Sequence, residues 1–411
     1  MTETGKAIND FLRRYHGEQV AFLAELVRMP SDNPPGDCAA HAEGTASLLE
    51  GLGFTVERHP VPSDEVRARG MQSATNLIIR RRFGAGPTVA LNAHGDVVAP
   101  GEGWTVDPYG AEIQNGVLYG RGAAISKSDI ATYAFALLAL EPLARHLRGG
   151  VELHITYDKE AGGFIGPAWL LARGLSKPDF AVVAGFSHGV VSHHSGCLHL
   201  EVVVDGCSAH AAQPDSGVDA LEATTGVLNT LYRHREALGE RHSRVAGIDA
   251  PSLVVGLISG GININVVPDR VTLRLDRRLI PEEDPEAVED ELSELVGEAV
   301  AVFPGASCHI RRIMLARPFV PVGRALELAG LFAHHASAIF GEEVPVHGVP
   351  LYTDARHYAE AGIPTVLYGA GPRTLLEANA HRANERLALE DLYRATHVVA
   401  LSLFDLLARD S

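Results

Sequence analysis

Three short segments carry the residue types from which hydrolytic and metal chemistry is built. His94 and Asp96 follow an apolar run, residues 158–160 read Asp-Lys-Glu after a second one, and His381 stands in N-A-H-R-A-N-E. An imidazole can bind a divalent metal while a nearby carboxylate fixes its tautomer, and carboxylates beside a lysine can transfer protons. The residues alone also allow a structural reading, with the first histidine in a turn and the lysine and glutamate in an ion pair.

The elements that must position these residues alternate between strands and helices. Strands alternating with helices predict an α/β domain with a mixed, largely parallel sheet and helices on both faces. Ligands collect at strand ends in such sheets, and His94 stands at a strand end. The apolar patterns predict strands at 54–59, 76–82, 88–93, 151–157 and 364–368, and helices at 6–29, 41–53, 129–142 and 324–340.

The pattern changes near residue 198, where a second set of elements begins. Strands at 198–205, 252–259, 270–276 and 307–314 and helices at 220–238 and 285–302 give a β-α-β-β-α-β order. This order predicts a ferredoxin-like α+β insertion. We therefore predict a discontinuous catalytic-type domain (1–197 and 315–411) interrupted by a smaller lid or dimerisation domain (198–314).

The composition indicates which classes of partner and which cellular compartment to expect. The 411 residues carry a formal net charge of −16, which argues against nucleic acid and against anionic membrane surfaces as partners. No apolar stretch approaches the roughly 18 residues of a membrane span, and we see no signal peptide. Four cysteines without C-x-x-C spacing favour free thiols in a reducing compartment. We expect a cytoplasmic protein.

Several segments occur in an order that resembles a known family. L-N-A-H-G-D begins at residue 91, Y-G-R-G at 119, D-K-E at 158, G-C-S-A-H at 206 and N-A-H-R at 379. The set is similar to the M20 family of metallopeptidases and amidohydrolases, which includes succinyl-diaminopimelate desuccinylases, acetylornithine deacetylases, aminoacylases and glutamate carboxypeptidases. The resemblance spans essentially the whole chain and implies a small-molecule substrate and a homodimer formed through the lid domain.

The chain departs from the family where the metal chemistry resides. Ile125 stands where G-R-G-x-x-D has the aspartate that bridges two zinc ions, Lys159 replaces the general base of D-E-E, and Gly185 replaces an acidic ligand. Isoleucine offers no lone pair, and a protonated lysine cannot accept a proton from water. We therefore expect either no cofactor or a single divalent metal, zinc in the first place, rather than a standard di-zinc centre. The family ligands that remain are His94, Glu160 and His381.

Other polar residues near these positions are expected to play lesser parts. Asp129 lies one helical turn after Ile125, and a shift of about 6 Å along the helix argues against its replacing the bridging aspartate. His188 is expected in a loop. His193 and His194 are adjacent on a strand and point to opposite faces, so at most one enters a site.

The positions that face substrate in the family are better preserved. By resemblance, His210 would help to stabilise an oxyanion, and Asn265 and Arg278 would bind the substrate's backbone or carboxylate. The glycine turn at Gly371 would place backbone amides near the substrate, and Asp354 would be structural. Together with the acid–base residues, these give the predicted catalytic set Lys159, Glu160, His210 and Asp96.

Three hypotheses about function follow. The first is an enzyme that acts on a small amino-acid-derived or N-acyl amino-acid substrate without the standard di-zinc centre, with Lys159, Glu160 and histidines in acid–base or electrostatic roles. The second is a conventional amidohydrolase (a deacylase or peptidase) that uses one metal. The third is a non-catalytic homologue that binds a ligand or a partner protein. Hydrolysis, condensation, cyclisation and isomerisation remain open.

Overall fold

The computed structural model describes residues 3–408 of the chain. The helices are α1 Glu3–Arg28, α2 Ala39–Gly51, α3 Ser63–Ala68, α4 Lys127–Leu140, α5 Pro167–Ala172, α6 Ala220–Leu238, α7 Pro285–Ala301, α8 Ala325–Phe340, α9 Ala355–Glu360 and α10 Leu389–Leu407. The strands are β1 Val56–Pro60, β2 Thr75–Arg82, β3 Thr88–His94, β4 Glu112–Gln114, β5 Val117–Tyr119, β6 Gly150–Thr156, β7 Phe180–Val183, β8 Val190–His194, β9 Gly196–Asp205, β10 Ser252–Gly260, β11 Arg270–Leu279, β12 Ser307–Ala316, β13 Val346–Val349, β14 Thr365–Leu367 and β15 Arg386–Ala388.

The chain folds into two compact units. The first comprises the residues up to Ser192, Pro321–His347 and the residues from Thr353 onward. The second comprises His193–Val320 and a short return at Gly348–Tyr352. This return was not predicted from the sequence. The catalytic and lid roles assigned to the two parts stay predictions.

The first unit is built on an eight-stranded mixed sheet of order β1-β2-β6-β3-β7-β14-β8-β13. The central strands β6, β3, β7 and β14 run parallel, while β1, β2 and β8 pair antiparallel at the sides. Helix α4 packs between α1 and α10 and is buried along almost its whole length. Its sequence accounts for this, because the few polar residues lie in its first turns and leave no polar face along the helix, and such a helix must be covered on every side. The predicted α/β class is confirmed.

The second unit is a four-stranded antiparallel sheet of order β10-β11-β9-β12, on which α6 and α7 pack. The β-α-β-β-α-β order is the ferredoxin-like one that the sequence predicts. Helix α6 begins after Asp219, whose side chain accepts hydrogen bonds from the amides of Leu221 and Glu222. This N-cap pairs two amides that would otherwise lack a partner at the start of the helix.

A small three-stranded sheet, β15-β5-β4, was not predicted. Its strands have three residues each, too few to show an alternating pattern. The pairing of Arg386 with Tyr119 joins the segment after His381 to the Y-G-R-G segment. No helix among the described residues combines the length and the apolar character needed to cross a membrane.

Candidate functional site

The candidate site lies where the parallel strands of the first unit end. His94 is the last residue of β3, and Asp158 follows the end of β6 by two residues. Gly185 follows β7, and the turn at 369–371 follows β14. Because the carboxyl ends of parallel strands meet at one edge of a sheet, these four segments converge.

Asp96 is the residue around which the site is organised. It is fully buried, and its carboxylate accepts hydrogen bonds from Asn33 Nδ2 at 3.0 Å and from the amide of Glu160 at 3.0 Å. The Nδ1 atom of His94 lies 3.3 Å from Asp96 Oδ1. Burial favours the neutral form of both side chains, but their mutual attraction outweighs it, so the pKa of His94 is raised and that of Asp96 is lowered. Asp96 thus fixes the loop that carries Lys159 against His94.

Lys159, Glu160 and His381 meet beside this pair. Lys159 Nζ lies 3.3 and 3.4 Å from the two carboxylate oxygens of Glu160, and His381 Nε2 lies 3.6 Å from Glu160 Oε1. The side chains of the lysine and the glutamate are 17% and 11% exposed, and that of the histidine is 50% exposed. Desolvation lowers the pKa of His381. The group is therefore a largely buried ion pair that solvent reaches from the histidine side.

The contacts of these residues can be set beside the donors that a di-metal centre requires. The ammonium of Lys159 already contacts both oxygens of Glu160, and Ile125 supplies no ligand. A Cβ atom at Gly185 would lie 2.8 Å from Tyr368 N, so no acidic side chain fits there without a backbone shift. Among residues 3–408, the donor atoms of His94, Glu160 and His381 do not all lie within 4.8 Å of one another.

Backbone packing at Gly185 can be tested directly. Gly185→Ala is expected to lower the free energy of unfolding by about 1–3 kcal/mol, because the added methyl would overlap the backbone of Tyr368 and Leu367. Gly330→Ala is the matched control, since Gly330 is exposed in α8 with no neighbour within 4 Å. The control is expected to be neutral or stabilising by up to about 1 kcal/mol. Urea denaturation measures both, and equal stabilities would contradict the steric argument.

Asp129 is a buried acid that accepts hydrogen bonds from loops of the site. Its Oδ1 atom accepts a hydrogen bond of 2.8 Å from the amide of Ala370. Burial raises the pKa of Asp129 to about 7, opposed by hydrogen bonds from Ala370, Ser126 and Gly185 and by the charge of His94. The carboxylate is thus engaged by backbone groups, and the expectation that it does not replace the family's bridging aspartate stays a prediction.

The raised pKa of Asp129 predicts a pH-dependent contribution to stability. A carboxyl whose pKa rises on folding stabilises the native state fully below its ordinary pKa of 3.8, and this stabilisation is lost as pH rises through about 7. The free energy of unfolding of the wild type should therefore fall between pH 4 and pH 7.5. Asparagine does not titrate, so in Asp129→Asn this fall should be smaller by up to about 4 kcal/mol. Urea titrations at several pH values measure it, with the exposed Asp64→Asn as control. Parallel pH profiles of wild type and Asp129→Asn would contradict the assignment.

Two further acids lie behind the lysine. Asp158 is buried, and its Oδ2 atom accepts a hydrogen bond of 2.6 Å from the amide of Ile165. Burial and the charge of Asp354 raise the pKa of Asp158 well above its usual value. Burial also raises the pKa of Asp354 to about 6. The expected role of Asp354 stays a prediction.

Lys127 was missed by sequence reasoning. It is fully buried, its Nζ atom donates a hydrogen bond of 2.8 Å to the carbonyl of Met29, and desolvation lowers its pKa to about 7. The charges of Asp32 and Glu385 oppose this shift. The available signal was its place at the start of α4, a helix with no polar face on which a lysine could be exposed.

The extra imidazoles have separate surroundings. His188 belongs to a charged group in which Glu342 Oε1 and Asp391 Oδ1 lie 2.9 and 3.4 Å from its ring nitrogens. His194 is fully buried, and its Nδ1 lies 2.9 Å from the carbonyl of Ser195, while His193 is half-buried. The difference in exposure is in keeping with side chains on opposite faces of β8.

The remaining predicted residues lie mostly in the second unit. His210 is exposed, and its Nδ1 accepts a hydrogen bond of 3.0 Å from the amide of Ala212, while the neighbouring Ala211 amide donates to the carbonyl of Asn265. Arg278 is half-buried on β11 and bonded to Asp276. Gly371 belongs to the first unit, where its amide donates to the carbonyl of Gly185 at 2.9 Å. The roles of these residues toward substrate stay predictions.

An α/β unit with polar side chains at its strand ends, interrupted by a ferredoxin-like unit, defines the class to which this chain belongs. The sequence profile of peptidase family M20/M25/M40 matches residues 90–405. Because this match spans more than half of the chain, the protein belongs to that family.

Relatives with known names extend over nearly the full length. Succinyl-diaminopimelate desuccinylase of Wolinella succinogenes is 26% identical over 93% of this chain and 98% of its own length. Acetylornithine deacetylase of Myxococcus xanthus is 29% identical over 92% and 95%. The M20 family metallo-carboxypeptidase Sso-CP2 of Sulfolobus solfataricus has a similar fold, with a TM-score of 0.75 and 19% identity over 94% of this chain and 98% of that one. The YXEP protein of Bacillus subtilis, described as a dinuclear metal binding peptidase, has a TM-score of 0.68 and 16% identity over 96% and 99%.

Proposed function

We propose that this protein is an enzyme that hydrolyses an amide bond in a small N-acylated or otherwise amino-acid-derived substrate without the standard di-zinc centre. The observation that carries the proposal is the position of Lys159 Nζ, 3.3 and 3.4 Å from the two oxygens of Glu160. A cation beside a carboxylate at the strand ends is a pair that can hold charge and move a proton without a metal.

The substrate class rests on two kinds of support. The named relatives are a desuccinylase and a deacetylase, both of which by name remove an acyl group. The chain also keeps Asn265, Arg278 and His210, which match the family's substrate-facing positions. The planar fork of an arginine suits a substrate carboxylate, and a histidine can donate to an oxyanion.

The residues at the strand ends can divide the chemistry among them. Glu160 would accept a proton from the attacking water, and the ammonium of Lys159 would stabilise the negative oxygen that forms on the carbonyl carbon. The water oxygen bonds to that carbon, the carbon–nitrogen bond breaks, and the proton passes to the leaving nitrogen. Asp96 would act as a positioning residue, because it holds both the Glu160 amide and His94. Condensation would use the same groups in reverse.

A one-metal amidohydrolase is the second candidate. It is favoured by one observation, the separation of 3.6 Å between Glu160 Oε1 and His381 Nε2, across which a single zinc ion could be shared. In that case Lys159 would have to move away from Glu160 when the metal binds.

Metal removal distinguishes the two candidates. The protein would be assayed against a panel of N-succinyl and N-acetyl amino acids before and after exhaustive chelation, with metal content measured alongside. Our proposal expects turnover that survives chelation. Turnover that disappears on chelation and returns in proportion to added zinc would support the one-metal enzyme. Binding of panel members without turnover would indicate the non-catalytic homologue.

We also propose a homodimer formed through the free edge of the second unit. Strand β10 is the edge strand of its sheet, and it exposes Val254, Leu257 and Ile258, which are 51%, 61% and 54% exposed. The loop that follows exposes Ile262 and Ile264, which are 77% and 100% exposed. An edge strand with apolar side chains is costly to leave in water, and pairing with a second copy would cover it.

Charge placed on this edge should separate the subunits. Leu257→Glu/Ile258→Glu is expected to shift the sedimentation coefficient from that of a dimer to that of a monomer, because two carboxylates would have to be buried on association. Val302→Glu is the control, since Val302 is 72% exposed at the end of α7 and away from the edge strand. A wild-type monomer, or a dimer that survives the double substitution, would contradict the proposal.

A further inference from the structure

A second cluster of metal-ligating side chains lies on the sheet of the second unit. Cys197 and His199 are two residues apart on β9, and Asp276 lies on β11. In the antiparallel register His199 pairs with Asp276, and Cys197 pairs with Arg278. Since side chains two residues apart share a face of a sheet, all four stand on one face.

The donor atoms of three of these residues converge. Cys197 Sγ lies 3.1 Å from His199 Nε2 and 3.7 Å from Asp276 Oδ2, and the latter two atoms are 2.9 Å apart. Tetrahedral zinc with ordinary Zn–S, Zn–N and Zn–O bonds separates such donors by about 3.3–3.6 Å. An opening of a few tenths of an ångström on the nitrogen side would therefore admit the ion. Among the residues that the structure describes, no other trio of histidine, cysteine or acidic donors is this compact.

The geometry does not suit a nucleophilic cysteine. In a cysteine–histidine–carboxylate triad the thiol and the carboxylate bond to opposite nitrogens of the imidazole ring. Here both Cys197 Sγ and Asp276 Oδ2 approach the same atom, His199 Nε2. Three donors directed at one point are what a metal ion requires.

The exposure of the three side chains would allow an ion to enter from solvent. Cys197 is fully buried, whereas the side chains of His199 and Asp276 are 33% and 30% exposed, which leaves an approach from solvent. Arg278 donates from Nε to Asp276 Oδ1 at 2.9 Å and from Nη2 to Oδ2 at 3.1 Å. On metal binding, the bond to Oδ1 can remain and orient the carboxylate, as hydrogen bonds to ligating carboxylates commonly do.

We infer that Cys197, His199 and Asp276 form a binding site for one zinc ion, with water as the fourth ligand. The combination of a soft thiolate, an imidazole and a carboxylate in near-tetrahedral reach favours zinc over calcium or magnesium. Binding displaces the thiol proton of Cys197 and requires a neutral His199, so affinity should rise with pH. The inference does not rest on the proposed function, although Arg278, which contacts Asp276, is also among the predicted substrate-binding residues.

Cobalt(II) provides the test, because a thiolate bound to cobalt gives a charge-transfer band in the near ultraviolet. The metal-stripped full-length protein should bind about one cobalt ion per chain with this band, and zinc should displace it. Cys197→Ser should abolish the band, and Cys197→Ser and His199→Ala should each weaken zinc binding more than about 100-fold, since loss of an outer partner alone costs 10–100-fold. Cys308→Ser is the control and should retain both signals. Thermal unfolding shows whether each variant is folded.

Two results would overturn the inference. One is a metal-stripped wild type that gives no thiolate–cobalt band. The other is a band and a zinc affinity that persist in folded Cys197→Ser and His199→Ala. Zinc that remains in Cys197→Ser but is lost in His381→Ala would locate the ion at the strand ends instead and support the one-metal enzyme. Metal content for the proposed function is therefore best measured in the Cys197→Ser background.

Discussion

Replacing Lys159 with methionine is expected to lower kcat/KM by at least about 100-fold while leaving the protein folded. Methionine keeps most of the length of the side chain but removes the charge that lies 3.3 and 3.4 Å from the oxygens of Glu160. The developing oxyanion then loses its cation, and the Glu160 carboxylate is left without its nearest neutralising partner. Both effects act on the transition state more than on the bound substrate, so kcat should fall more than KM rises.

The control for this substitution is another lysine. Lys177 is exposed in a loop, and Lys177→Met should leave kcat/KM within about twofold, as expected of surface changes far from a site. Steady-state kinetics on the best substrate of the acyl amino-acid panel gives the comparison, and urea denaturation confirms folding. Turnover by Lys159→Met equal to that by Lys177→Met would remove the lysine from the mechanism. An increase in turnover on adding zinc to Lys159→Met would show that the lysine blocks a metal site.

The central elements could be predicted from sequence because their signals are local. Helix α6 was predicted at 220–238 from its apolar period, and the structure has it at Ala220–Leu238. The strand that ends at His94 was predicted from its apolar run. Residues that follow the carboxyl ends of parallel strands lie close together, so the location of the site could be predicted as well. The resemblance to the M20 family rested on the order of such segments along the chain.

Other features depend on contacts that sequence does not encode locally. The exclusion of a side chain at Gly185 comes from the backbone of Tyr368, almost two hundred residues away along the chain. The convergence of Cys197, His199 and Asp276 depends on the register of β9 with β11, because a slip of one residue would have put Asp276 on the face opposite Cys197 and His199. Ile125, Lys159 and Gly185 can be read from the sequence, but the contact between Lys159 and Glu160 depends on the fold.

A buried ion pair holds the loop of His381 in place. Arg121 Nη1 lies 2.6 Å from Glu385 Oε2, and the two side chains are 1% and 2% exposed. The other oxygen of Glu385 accepts a hydrogen bond of 3.1 Å from the amide of Ala124, next to Ile125. The pair therefore ties the segment that carries His381 to the segment that in the family carries the bridging aspartate.

Glu385→Ala is expected to lower the free energy of unfolding by about 3–5 kcal/mol, because it leaves the guanidinium of Arg121 buried without its counter-charge. Amide hydrogen exchange should also quicken around His381, whose loop would lose its anchor. Glu377→Ala is the matched control, an exposed glutamate in the same stretch of chain, and should cost less than about 0.5 kcal/mol.

A double substitution distinguishes the effect of the two charges in the Arg121–Glu385 contact from the effect of the space that the side chains fill. Arg121→Met/Glu385→Leu removes both charges and fills the space with apolar side chains, so it should regain most of the stability that Glu385→Ala loses. The double variant could be as stable as wild type and still show fast amide hydrogen exchange around His381. In that case the pair fixes the loop through its hydrogen bonds, in which Glu385 accepts from the amide of Ala124 and Arg121 donates to the carbonyl of Pro100. If Glu385→Ala is no less stable than Glu377→Ala, the loop is held by the pairing of β15 with β5 instead, and the position of His381 beside Glu160 depends on that small sheet alone.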